Sequence, residues 1–314
     1  MAPVRHLLTA LLVVLIASPA MVAEQNAQPT FKAGVERVTV NASVRTRRGK
    51  PVTDLKAHDF ELLDSGAPVN IREFRAEVSP VSVAMLVDFS GSMDVAARRQ
   101  SVHDTAKNVL DQLAPGVDQA GLYVFDKRLR ELQPVSPAPG NILSQLESAA
   151  RPFGATSLFD AIAETGRRIS EEGGPRRAVV ALTDGADNAS RLSPEEVSKI
   201  ASGIDVPVYV MVIISPLDRS GNTTIDDERL LTQVLSGPLA NLAHWTGGDI
   251  VVAIKPDQSA KAAEQIIKEL RQQYLLAFEP GTRPGWHRIE LRTRDKDLIV
   301  RARSGYIIAG PDGL

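Results

Sequence analysis

Five oxygen-bearing side chains stand out by type and spacing. Asp88-Phe89-Ser90-Gly91-Ser92 sets a carboxylate and two hydroxyls at alternate positions. Along a strand running into a turn, this alternation puts Asp88, Ser90 and Ser92 on one side, and Gly91 permits a tight bend. One carboxylate with two hydroxyls is a hard-oxygen set, suited to Mg²⁺, Mn²⁺ or Ca²⁺. Two later places repeat the theme: Gly154-Ala155-Thr156 before a helical pattern, and Thr183-Asp184-Gly185 at the end of an apolar strand. Each piece also has a plainer use. Asp-x-Ser-x-Ser serves as a turn or cap, Thr156 as a helix N-cap, and Thr-Asp-Gly as a strand-ending turn. Asp187 and Asn188, close to Asp184, have two readings, the rim of a metal site or a solvated loop, and the second is the plainer.

Other chemistries find no footing. The chain has no Gly-x-Ser-x-Gly elbow, no His-Glu-x-x-His, no phosphate loop and no Gly-x-Gly-x-x-Gly. His6, His58, His103, His244 and His287 are scattered along it. A Mg²⁺-dependent phosphotransferase with Asp88 as nucleophile is the enzymatic rival. Such enzymes usually carry a second carboxylate two residues on, where this chain has Ser90. Zero cysteines exclude a disulfide scaffold, a thiolate metal site and a cysteine nucleophile. A net charge of −2 argues against a nucleic-acid binder, and 4% aromatic residues disfavour a stacking surface for bases or sugars.

The elements that must hold these residues follow from periodicity. Residues 81–89 form an almost continuous apolar run, the signature of a strand covered on both faces. A helical pattern over 94–113 follows, then a strand pair at 121–125 and 129–135. Next come a helix over 157–171, a strand at 178–182 and a helix opened by Ser193-Pro194-Glu195-Glu196, with its N-cap serine and first-turn proline. A strand at 208–214, a helix over 230–244, a strand at 250–254 and a helix over 259–273 complete the series. This alternation predicts an α/β fold: a doubly wound, mostly parallel sheet with helices on both faces.

Both flanks read as β. In 35–78, Val38, Val40, Ala42 and Val44 alternate with Arg37, Thr39, Asn41 and Ser43, and two further strands are expected at 59–64 and 69–74. Strands are also expected at 274–278, 288–294 and 298–303, with their arginines coating a solvent face. A few short strands rarely stand alone, so the two flanks are expected to close one β-sandwich.

Residues 1–23 read as an export signal: a basic start at Arg5, an uncharged run over 7–17, then small residues at 18–23. The domain plan is then a signal over 1–23, a β segment over 31–78, an α/β domain over 79–275, and a β segment over 276–314. The mature protein is expected outside the cytoplasm, secreted or periplasmic, without stable membrane insertion.

Asp88, Ser90, Ser92, Thr156 and Asp184, on these elements, resemble the metal-ion-dependent adhesion site of the von Willebrand factor type A domain. The resemblance covers about residues 80–275. The flanks, Gly49-Lys50-Pro51-Val52-Thr53-Asp54-Leu55 and Arg301-Ala302-Arg303-Ser304-Gly305-Tyr306 among them, resemble a bacterial subfamily of secreted proteins described as von Willebrand factor A-related. The resemblance implies a Rossmann-like fold in which Ser90 and Ser92 bind a Mg²⁺-type ion through their hydroxyls. Thr156 binds directly or through water, and Asp88 and Asp184 supply charge. It implies a non-enzymatic module whose ion captures an acidic residue of a partner protein. The alternative is an assembly scaffold whose metal site is silent or internally occupied.

Overall fold

The computed structural model describes residues 37–94, 96–137, 140–149, 153–214, 232, 234–253 and 256–308. The expected signal over 1–23 and the start of the helix expected at 230 lie outside them. Four strands come first: β1 (Val38–Thr46), β2 (Phe60–Asp64), β3 (Ala67–Val69) and β4 (Glu73–Arg75). Then follow β5 (Ser82–Asp88), α1 (Ala96–Asp111), β6 (Gln119–Phe125), β7 (Leu129–Ser136), α2 (Ile142–Ser148) and α3 (Leu158–Glu172). The alternation continues with β8 (Arg177–Thr183), α4 (Pro194–Gly203), β9 (Val208–Ile213), α5 (Pro238–Trp245), β10 (Ile250–Ala253) and α6 (Pro256–Arg271). Four more strands follow: β11 (Tyr274–Phe278), β12 (Gly285–Thr293), β13 (Leu298–Ala302) and β14 (Gly305–Ile308).

The central sheet has the order β10-β9-β8-β5-β6-β7. Its neighbours run parallel except for the β6–β7 hairpin. Strand β5 is buried throughout because it packs on two sides. Val83, Met85 and Val87 meet α1 and α6, whereas Ala84 and Leu86 meet α3, α4 and α5 residues. The chain leaves β5 toward β6 and later returns on its other side as β8. That reversal of strand order opens a crevice at the carboxyl ends of β5 and β8, the usual ligand position in such sheets.

The two flanks do combine. One antiparallel sheet has the order β13-β1-β11-β4 and the other β14-β12-β2-β3, so each draws strands from both ends of the chain. Their inner faces share Val40, Leu62, Phe278, Ile289 and Tyr306 in one cluster, and Ala42, Phe60, Tyr274 and Leu276 in another. Phe60, Phe74 and Tyr274 add ring contacts at 5.2–5.8 Å.

Several elements differ from expectation. The strand expected at 69–74 breaks into the ends of β3 and β4. The helix expected through 230–244 is interrupted, because Gly237 is extended (φ −80°, ψ 179°) and Pro238 opens α5. Helix α2 escapes the sequence pattern, since Ile142 and Leu146 are its only buried residues. The tail arginines do not all coat a solvent face. Arg301 and Arg303 are buried, 8% and 5% exposed, because acids from distant elements compensate them. No helix among the described residues is long and apolar enough to cross a membrane.

Candidate metal centre

Strands β5 and β8 are in register, Val87 opposite Leu182, so the residues that follow their ends emerge side by side. Beyond β5 the chain turns through one 3-10 turn, Gly91–Met93. The Met93 amide donates to the Ser90 carbonyl at 3.0 Å, and the buried Met93 side chain anchors the turn in the core beneath. This turn is tied to the loop before α3. The Phe153 amide donates to the Phe89 carbonyl and the Gly91 amide to the Gly154 carbonyl, each at 3.0 Å. Gly154 has φ +104°, a conformation glycine adopts without strain.

A third loop, after β8, closes on the second. The amides of Asn188 and Ala189 both donate to the Thr156 carbonyl, and the Thr156 amide donates to Asn188 Oδ1 at 2.9 Å. Asp187 is likewise engaged, accepting from the Ser190 hydroxyl at 2.5 Å and the Phe159 amide at 3.2 Å. Asn188 is exposed and Asp187 half-buried, as a solvated loop expects, and both also brace the loop through these bonds. Thr156 is not the cap of α3, since Ser157 occupies that position. The bonds that hold the loop run to Thr156 backbone atoms, not to its hydroxyl.

The five predicted residues thus lie on three mutually tied loops at one end of the sheet. Asp88, Ser90 and Thr156 are buried, 1%, 1% and 2% exposed, while Ser92 is exposed and Asp184 half-buried. Ser90 Oγ and Ser92 Oγ stand 3.1 Å apart. This is a hydrogen bond between the two hydroxyls, and its length lies close to the ~2.8–3.0 Å between adjacent oxygens of an octahedral ion that holds them at about 2.0–2.1 Å.

The carboxylates are held differently. Asp88 Oδ1 accepts the Ser90 amide at 2.8 Å, and its Oδ2 accepts the Thr183 hydroxyl at 2.7 Å. The Asp88 carboxyl is pushed up to about 6, chiefly by burial and slightly by the negative charge of Asp184, against hydrogen bonds from Ser90 and Thr183 that pull it down. A buried acid repelled by a second acid is a place where a cation gains electrostatic stabilisation. Asp184 Oδ1 accepts the Ala186 amide at 3.1 Å, and its Oδ2 faces Arg98 Nη1 at 3.5 Å. The same Arg98 nitrogen donates to the Ser92 carbonyl. Among the described residues, no group of three or more His, Cys, Asp or Glu side chains is gathered for a metal. The donor set here consists of hydroxyls with two carboxylates, which fits a hard divalent ion and not a soft one. Sequence reasoning missed Thr183 and Arg98. Thr183 directly precedes Asp184 and so was within reach of the motif, whereas nothing about Arg98 singles it out before folding.

Residues 83–186 match the family model of the von Willebrand factor type A domain. No curated protein sequence matches the chain. The solved structures it resembles include the conserved hypothetical protein BatB from Bacteroides thetaiotaomicron: 22% identity, TM-score 0.46, 61% of this chain and 98% of that one. A von Willebrand factor type A structure from Catenulispora acidiphila shares 12% identity with a TM-score of 0.46, over 88% of this chain and 74% of that one. Proximal thread matrix protein 1 from the mussel byssus, with a zinc-occupied MIDAS motif, shares 17% identity with a TM-score of 0.43, over 66% of this chain and 49% of that one.

Proposed function

We propose, from the match of residues 83–186 to the von Willebrand factor type A family model, that the chain is a binding module that uses a divalent cation to capture a carboxylate of a partner protein. The observation that carries this reading is the Ser90–Ser92 hydroxyl pair at 3.1 Å, next to the buried Asp88 carboxylate at the switch point of the sheet. Ser90 and Ser92 would hold the ion through their hydroxyls, Thr156 would complete the set from the second loop, and Asp88 and Asp184 would balance its charge. The donor types favour Mg²⁺, with Mn²⁺ or Ca²⁺ as substitutes. Bound there, such an ion supplies a Lewis-acid position open to an incoming acidic side chain.

Asp88 is poorly placed for a nucleophile. Both its oxygens already accept hydrogen bonds, and the residue is 1% exposed. A non-enzymatic role therefore suits the geometry better than phosphoryl transfer. The leader pattern over residues 1–23 supports a place outside the cytoplasm.

A second reading, a scaffold with a silent cation site, draws on one specific contact. Arg98 pairs with Asp184 from within the chain. The two readings separate on one experiment. Immobilised full-length protein is loaded with an acidic partner in Mg²⁺ buffer and washed with EDTA. The binding reading expects retention in Mg²⁺, release by EDTA and no retention on Ser90→Ala. Retention indifferent to EDTA and to Ser90→Ala would favour the scaffold.

A further inference from the structure

The strongest unexplained feature beside the cation site is the position of Arg98 in the first turn of α1. Its Nη1 spans two of the three loops, donating to the Ser92 carbonyl and lying 3.5 Å from Asp184 Oδ2. Both side chains of the ion pair are sheltered, each 12% exposed, so water screens the pair less than it screens a surface bridge. Asp184 Oδ1 is occupied by the Ala186 amide, so Arg98 faces the other oxygen, Oδ2.

Resting on the reading of Asp88, Ser90, Ser92, Thr156 and Asp184 as a cation site, the geometry points to Arg98 as a built-in competitor for the divalent ion. The guanidinium neutralises Asp184 and clamps the Ser92 turn while no ion is bound. It gives up Asp184 when the ion enters. The argument is one of charge and space. Asp88 and Asp184 repel each other, so the metal-free site gains from a neighbouring positive charge, which Arg98 provides. A divalent ion drawing on the same carboxylate meets a like charge already in contact with it, and like charges this close repel. A planar guanidinium on a long stem suits this part, because it can keep the Ser92 carbonyl while swinging away from the acid. The consequence is a site with deliberately lowered affinity, loaded only when cation concentration is high enough to displace an internal charge. The same residue explains how the loops stay ordered before loading, since the bridge ties the Ser92 turn to the loop after β8.

The test is titration of the full-length protein with Mn²⁺ alone, read by calorimetry, with thermal melts in EDTA beside it. Arg98→Gln removes the charge, and Arg98→Lys keeps a charge but loses the fork. The expected result is tighter Mn²⁺ binding by Arg98→Gln, by about tenfold, together with a lower melting temperature than wild type in EDTA. Arg98→Lys should lie between the two, and serves alone if the glutamine variant fails to fold. Equal or weaker Mn²⁺ affinity in the folded variants, with wild type binding normally, overturns the role of Arg98 and leaves the cation site standing. Absence of Mn²⁺ binding in wild type and both variants alike overturns the cation site itself, and the competitor with it.

Discussion

The Thr183 hydroxyl donates to Asp88 Oδ2 at 2.7 Å, linking the last residue of β8 to the last residue of β5. The same hydroxyl accepts the Gly185 amide at 3.0 Å. Thr183 therefore orients the buried acid and shapes the turn that carries Asp184. A single side chain ties two parts of the candidate centre together.

Replacing Thr183 with valine keeps the shape and removes both bonds. The buried Asp88 oxygen loses a donor and the Gly185 amide loses an acceptor, so the variant should be destabilised by about 1–3 kcal/mol. Thr183→Ser, which retains the hydroxyl, should stay within about 1 kcal/mol of wild type. Urea unfolding in EDTA measures both. A valine variant as stable as wild type would show that the hydroxyl holds nothing in place.

A second prediction concerns the junction between the α/β sheet and the sandwich. Arg301 on β13 contacts Asp249 and lies 3.4 Å from Glu269 on α6; Arg45 on β1 joins the same two acids at 3.4 and 3.9 Å. Arg301 is 8% exposed and Glu269 is 4% exposed, so removing the arginine strands buried negative charge. Arg301→Met should cost about 3–5 kcal/mol, and adding Glu269→Gln should restore part of that loss. Denaturant titration of the three proteins decides it. Costs that simply add would contradict a coupled network.

How much of this was legible beforehand depended on whether a residue's partner was near in sequence. The run at residues 81–89 announced a strand covered on both faces, and β5 is buried along its length for that reason. The clustering of Asp88, Ser90 and Ser92 was legible because they lie within five residues of one strand end. Arg98, by contrast, sits beside Arg99 and looks like any charged residue of a helix. Its meaning comes from Asp184, across the fold. Arg301 and Arg303 read as solvent-facing for the same cause: alternation records which face a residue takes, not what lies over that face. The acids that neutralise them, Asp249, Glu269 and Asp205, belong to other elements. Asn188 became informative only once its amide was seen to hold the Thr156 carbonyl.

Asp118 carries the pH prediction. It accepts the Val81 amide at 2.9 Å and the Ala114 amide at 2.6 Å, and pairs with Arg271 at the end of α6. Burial alone pushes its carboxyl up, but the Ala114 and Val81 amides and Arg271 outweigh that and hold it below the usual aspartate value of 3.8. A carboxyl lowered in the folded state stabilises the fold above its unfolded pKa, and that contribution is lost as pH falls through the folded value. Asp118→Asn should therefore be less stable than wild type at neutral pH. The gap should stay constant down to about pH 4 and close below it. Melts across that range test this; a gap that closes between pH 8 and 6 would assign the effect to another group.

Binding of a divalent cation by Asp88 and its neighbours is read from a thermal melt. Full-length protein is melted in EDTA and then in millimolar Mg²⁺ or Mn²⁺, with Asp88→Ala treated identically. An ion at about 100 times its dissociation constant should add about 2.7 kcal/mol of stability to wild type, and nothing to the variant. An unchanged wild-type melt, or an equal rise in Asp88→Ala, would mean that these residues hold no such ion.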